Sequence, residues 1–223
     1  FPFYADLLVG PPALEQEDGS VLISKHALIA AVYKDLESYS SYKKLSFGPK
    51  FGVNSPLFEH HTNSLVFNDP PLHTRVRKIM TGALNPRAIQ LMEPSLRETI
   101  SRLLADVSEK NSKNKEIDVI EDFASKIPIQ IIGDLLGITF DERAPLRNWS
   151  LAILGALEPV VSAKQMQIGN EAVTEFKTYL RTLVARRRTE ARDPETDVLT
   201  RLIIAEDAEN LSKNSFCKTA FLS

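Results

Sequence analysis

The sequence predicts a mainly α-helical fold with a small β component. Three observations carry that expectation. Apolar residues recur at helical spacing through most of the chain beyond residue 69. One short apolar run, Val21-Leu22-Ile23, follows the turn dipeptide Asp18-Gly19 and suits a strand. The 223 residues are 43% hydrophobic and 25% charged, ordinary values for a globular chain long enough to bury a sizeable core.

In order along the chain, the strand is followed by a helical pattern opened by Ser24, with Leu28, Ile29, Ala31, Val32 and Leu36 at helical spacing. Residues 38–68 carry Gly48, Pro49, Gly52, Asn54 and Pro56 and read as a long loop, a feature that is usually functional or disordered. Asp69-Pro70-Pro71 then starts a helix, with Asp69 as N-cap and proline in the first turn. Leu91, Met92, Ile100, Leu103, Leu104 and Val107 form the next apolar stripe, and residues 110–115 read as a polar loop. Residues 117–138 are strongly apolar, with Pro128 as a break or helix start and Gly137 as the stop. Helices are expected over residues 141–157 and 163–188. The second places Val173, Phe176, Tyr179, Leu180, Leu183 and Val184 on one side. Asp193-Pro194 makes a turn, and Val198, Leu199, Leu202 and Ile203 begin a further helix. Phe216, Cys217, Ala220 and Phe221 form the stripe of a last helix that carries neither a glycine stop nor a basic final turn.

Charge and cysteine usage exclude several function classes. A formal net charge of −2 argues against nucleic-acid binding driven by bulk charge. The lone Cys217 rules out a disulfide framework within the chain and any cysteine-rich zinc site. There is no signal-peptide pattern and no apolar run long enough to span a bilayer, so no membrane partner is expected and a cytoplasmic location is. The chain begins at Phe1 rather than Met, so truncation at the N-terminal end is expected as well as at the C-terminal end.

The residues that carry chemistry lie in Asn68-Asp69-Pro70-Pro71-Leu72-His73-Thr74-Arg75-Val76-Arg77. His73 and Arg77 are four apart and share a helix face, next to Val76, Met80 and Leu84. A cation set into an apolar stripe needs a partner, since losing hydration is costly. A guanidinium fork fits a carboxylate or phosphate, and an imidazole adds one more donor. The pair therefore asks for an anion, from a side chain or from a ligand; on the residues alone a structural ion pair is the commoner answer. His60-His61 without further ligands at metal spacing reads as a solvated pair. His26 is placed on a helix surface, Arg186-Arg187-Arg188 as a solvated cluster at a helix end, and Trp149 in packing.

The string Asp69-Pro70-Pro71-x-His73-Thr74-Arg75-x-Arg77 resembles the helix-C signature of bacterial-type haem-thiolate monooxygenases, the soluble cytochromes P450, with Leu72 in a slot that is usually acidic. The resemblance extends along the chain. Val21-Leu22-Ile23-Ser24 and Asp35-Leu36-Glu37-Ser38-Tyr39-Ser40-Ser41 are similar to the family's first strand and the run that follows it, with Tyr39 where phenylalanine is commoner. Ala83-Leu84-Asn85-Pro86-Arg87-Ala88, Asp118-Val119-Ile120-Glu121-Asp122-Phe123-Ala124, Ile131-Ile132-Gly133-Asp134-Leu135-Leu136-Gly137-Ile138 and Asp197-Val198-Leu199-Thr200-Arg201-Leu202 are similar to later segments. Leu211-Ser212 and Thr219-Ala220-Phe221-Leu222 resemble the entry to helix I.

The resemblance implies the N-terminal part of the cytochrome P450 fold, from helices A and B through the start of helix I, with residues 1–223 as a partial domain. It implies that His73 and Arg77 clamp a propionate of haem b and that the protein oxidises a small organic substrate with dioxygen. Electrons would come from NAD(P)H through a ferredoxin or flavodoxin type redox partner. No Glu-x-x-Arg, no Ala-Gly-x-x-Thr and no Phe-x-x-Gly-x-x-x-Cys-x-Gly occurs in the sequence. No catalytic residue and no metal ligand is therefore expected in it. Cys217, between Phe216 and Lys218, is expected to be a small core residue, and the axial cysteine to lie in a C-terminal half. The chain as given is expected to be inactive by itself. A different class, a non-enzymatic helical ligand-binding or interaction module, predicts a fold capped at both ends.

Overall fold

The computed structural model describes residues 2–84, 86–114, 116–190 and 192–208. Within it the chain divides into two units, Phe1–Tyr42 and Lys43–Ser223.

The first unit holds α1 (Pro2–Val9), an antiparallel hairpin of β1 (Ala13–Glu15) and β2 (Val21–Ile23), and α2 (His26–Lys34). Leu14 lies opposite Leu22 in the ladder. Asp18-Gly19 closes the hairpin: Gly19 takes φ +79°, a conformation that suits a residue without Cβ, and the Asp18 carboxylate accepts the Ser20 N–H at 2.9 Å. The expected strand is thus observed, with a partner strand that its sequence did not announce. Leu36 falls beyond α2, which ends at Lys34 with Asp35 as its C-cap; the Asp35 carboxylate accepts the N–H groups of Glu37 and Ser38 in a turn. His26 is exposed, as its position on α2 suggested.

The second unit is built on α9 (Ala163–Thr189), 27 residues long and opened by a reciprocal capping box between Ser162 and Gln165. One stretch of α9 buries Ala172 and Val173 against α3 (Lys44–Phe51), α4 (Pro56–Thr62) and α8 (Ala144–Gly155), where Phe51, Leu57, Phe58 and Ile153 complete a core. A later stretch buries Leu180, Leu183 and Val184 with Ile79, Ala83, Leu146, Leu199 and Leu202 from α5 (Leu72–Ala83), α8 and α10 (Val198–Ala208). Trp149 and Phe176 touch both cores, and the Trp149 indole N–H donates to Glu175 at 2.8 Å, so the tryptophan is a packing residue. The remaining α-helices among the described residues are α6 (Pro86–Asn114) and α7 (Lys126–Leu135), with a π-helical segment (Val119–Ala124) between them. Pro128 stands at the third position of α7, and Gly137 ends the region at φ +60°.

Several expectations need correction. Residues 38–68 are not one loop: α3, α4 and a 3-10 turn (Leu65–Phe67) lie within them. Ser55 caps α4 by accepting the Phe58 N–H at 3.1 Å, with Pro56 in the first turn. Gly48 and Pro49 lie inside α3, Gly52 follows it and Pro56 opens α4, and burial of Phe51, Leu57 and Phe58 fixes the two helices. Residues 110–114, expected as loop, continue α6. Arg186, Arg187 and Arg188 are not a solvated cluster. Arg186 forks onto Glu142 at 2.8 and 2.9 Å, the buried Arg187 pairs with Asp197, and Arg188 bonds Asp207 at 2.8 Å. Cys217, the helix expected around it, and the likenesses at Leu211-Ser212 and residues 219–222 lie outside the described residues. No helix among the described residues is long and apolar enough to cross a membrane.

Candidate functional site

The helix that carries His73 and Arg77 is fixed at both ends. At its start, the buried Asn68 side chain donates to the carbonyls of Thr62 at 3.0 Å and Ser64 at 2.6 Å, which locks the chain's approach. Pro70 and Pro71 follow, and regular helix begins at Leu72, with Pro71 rather than Asp69 at the N-cap position and no side-chain cap. The Asp69 carbonyl accepts the His73 N–H at 3.2 Å, so Asp69 contributes its backbone to the first turn. At the other end, the Arg201 guanidinium donates from α10 to the Ala83 carbonyl at 3.1 Å. This last carbonyl would otherwise be an orphan acceptor of the helix terminus.

Between these anchors Val76, Ile79 and Ala83 form the buried face of α5. His73 is half-buried beside that face and Arg77, one turn on, is exposed. Among the described residues neither side chain makes a hydrogen bond or ion pair. Several other cations of the second unit are paired. Arg143, Arg147, Lys177, Arg186, Arg187 and Arg188 all sit opposite a carboxylate. The structure places the two residues singled out from the sequence one turn apart on α5, and among the described residues no side chain pairs with either. The arrangement fits a carboxylate ligand: two donor groups one turn apart, on a helix that cannot easily swing away. A cavity of about 600 Å3 lies elsewhere, between α6, α7 and α10, with Ile89, Leu96, Ile131, Leu135 and Val198 in its wall. Neither His73 nor Arg77 lines it.

The other histidine pair departs from the expectation of solvated side chains. His60 and His61 on α4 are 8% and 2% exposed, with ring centroids 4.9 Å apart. Phe47, Phe51 and Phe67 surround the His61 ring at 5.8, 5.1 and 6.0 Å. Burial pushes the His60 imidazole down to about 3, helped by the charges of His61 and Lys177. Burial and then the Lys50 charge bring His61 to about 4. Both are neutral at neutral pH. No group of three or more potential metal ligands gathers among the described residues, so the pair is no metal site by ligand count. Sequence reasoning missed this burial, although Ser55-Pro56 followed by Leu57, Phe58 and His61 is a capped helix with an apolar face.

Comparison with known proteins agrees with the helix-C likeness. The cytochrome P450 family model matches residues 16–222. Cytochrome P450 107B1 of Saccharopolyspora erythraea is 31% identical over 77% of this chain and 38% of its own length. The biotin biosynthesis cytochrome P450 of Bacillus subtilis is 26% identical over 78% of this chain and 45% of its own. The crystal structure of CalO2 superimposes with a TM-score of 0.86 at 26% identity, over 99% of this chain and 53% of that one. The chain therefore spans about half the length of the relatives it matches. With a likeness that runs in order over nearly all of its residues, the chain belongs to the cytochrome P450 family.

Proposed function

We propose that this chain is the N-terminal portion of a bacterial-type haem-dependent monooxygenase, and that His73 and Arg77 hold a haem propionate. The observation that carries the reading is the unpaired state of both side chains among the described residues, on a helix anchored at each end. A lone exposed arginine is unremarkable, but an imidazole and a guanidinium set one turn apart beside a buried face make a two-point anion clamp.

Haem, when bound with a cysteine thiolate from a stretch of the protein outside these residues, supplies the activation of dioxygen. This chain's own contribution is to bind and orient. The Arg77 guanidinium neutralises a propionate with a fixed fork of donors, and His73 adds a further N–H donor. Residues 38–67, with the short helices α3 and α4, form a substrate-facing wall. The substrate is a small organic molecule, a reading that the 6-deoxyerythronolide B hydroxylase among the relatives supports, at 27% identity over 45% of its own length. Electrons arrive from NAD(P)H through a ferredoxin or flavodoxin type partner, and the protein works in the cytoplasm.

The test is spectroscopic. The protein encoded by the whole gene is purified with haem, reduced and exposed to carbon monoxide. The expected result is the red-shifted Soret band of thiolate-ligated haem, and its absence in a correctly folded preparation would remove the monooxygenase reading. The same experiment on residues 1–223 alone is expected to give no such band.

A further inference from the structure

Four helices meet around the His60–His61 pair, and the charges among them are unbalanced. Lys50 of α3 reaches the turn that follows α8 and donates to the carbonyls of Leu157 at 2.9 Å and Glu158 at 2.6 Å. Lys177 of α9, itself buried, pairs with Glu59 of α4 at 2.7 Å. The Leu57 N–H of α4 donates to the Asn170 side chain of α9 at 3.0 Å. A Cβ built on Gly169 lies 3.0 Å from the Leu57 side chain, so α4 approaches α9 at a point where glycine gives it room. α8 presents the Ile153 backbone to His61, and the 3-10 turn presents Phe67. Among the described residues the charges acting on the pair are Lys50 and Lys177, and Glu59, the carboxylate beside them on α4, is engaged by Lys177.

Nδ1 of His60 and Nε2 of His61 are buried without a hydrogen-bond partner among the described residues. In the closed arrangement a proton on either nitrogen has no acceptor and lies beside a lysine and the other imidazole. Once α3 and α4 separate from α8 and α9, water can accept from both rings. We propose that His60 and His61 form an acid-sensitive latch: proton uptake by the pair releases residues 44–67 from α8 and α9 while the rest of the second unit stays folded.

The sign follows from linkage. Both imidazoles titrate lower in the closed form than a free histidine does, so the closed form is fully stable above a pH of about 6.5 and loses stability as pH falls below it. Two protons taken up on opening make the opening equilibrium rise roughly a hundredfold per pH unit in that range.

The experiment is hydrogen exchange between pH 7.5 and 5 on the protein as its gene encodes it, with protection corrected for the intrinsic exchange rate. Amides of residues 44–67 are expected to lose protection with a slope of about two protons per opening below a pH of about 6.5, while those of residues 180–188 keep theirs. In His61→Phe, which keeps a ring in the aromatic cage, the slope is expected to fall to about one. Flat protection in residues 44–67, simultaneous loss in residues 180–188, or an unchanged slope in His61→Phe would each overturn the latch. If His61→Phe fails to fold, the wild-type slope alone decides.

Discussion

On α4 and α9, histidines and cations are buried and enclosed: His60 and His61 stand among phenylalanine rings, Lys177 meets Glu59, and Arg187 meets Asp197 together with the carbonyls of Leu136 and Gly137. On α5, the same residue types have no partner among the described residues, His73 half-buried and Arg77 exposed. The difference separates two uses of one chemistry. A cation taken out of water must bring its counter-charge with it, or the fold carries a large desolvation cost. A cation left at the surface of a rigid helix adds little to stability and remains available to a ligand. Residue type does not distinguish the two regions; burial and partnering do.

Substitutions can break this comparison. The largest effect is expected at Arg187, which is 4% exposed and paired with an Asp197 that is 6% exposed. Arg187→Ala leaves that buried carboxylate with the Thr200 N–H and the looser Arg192 contact at 3.9 Å, and is expected to destabilise the protein by about 3–5 kcal/mol, read as a lower midpoint in urea. Leu57→Ala, at a fully buried side chain against Gly169, is expected to cost about 2–5 kcal/mol through lost burial and the cavity left behind. Gly169→Ala pushes against the same leucine from the other side. Because Leu57 is enclosed and cannot move freely, the expected cost is about 1–3 kcal/mol in the same measurement. At the small end, Arg77→Ala should leave the urea midpoint within about 0.5 kcal/mol of wild type. A loss of several kcal/mol there would mean that Arg77 is structural after all, like its counterparts on α9.

Much of this architecture was legible in the residues. The long apolar periodicity of α9 and the turn at Asp18-Gly19 both gave elements that the structure contains, because local pattern and tertiary burial agree there. Residues 38–68 misled because glycine and proline punctuate two short helices whose stability comes from packing on α8 and α9 rather than from propensity. The arginine run 186–188 misled because its carboxylate partners, Glu142, Asp197 and Asp207, stand between 10 and 44 positions away in sequence, which no local reading brings together. The pair His73 and Arg77 was visible as a helical i, i+4 spacing. What the sequence could not tell was whether a carboxylate of this chain would claim them. Among the described residues none does.

The central claim is that His73 and Arg77 are held free for a haem carboxylate. The most direct measurement is the haem-to-protein ratio of the purified whole-gene protein as wild type, His73→Ala, Arg77→Ala and Arg77→Lys, each with its urea midpoint. Arg77→Ala is expected to retain substantially less haem at an unchanged midpoint, His73→Ala to lose less than Arg77→Ala, and Arg77→Lys to recover part of the loss, because an ammonium restores the charge but not the fork. Undiminished haem content in Arg77→Ala would contradict the clamp.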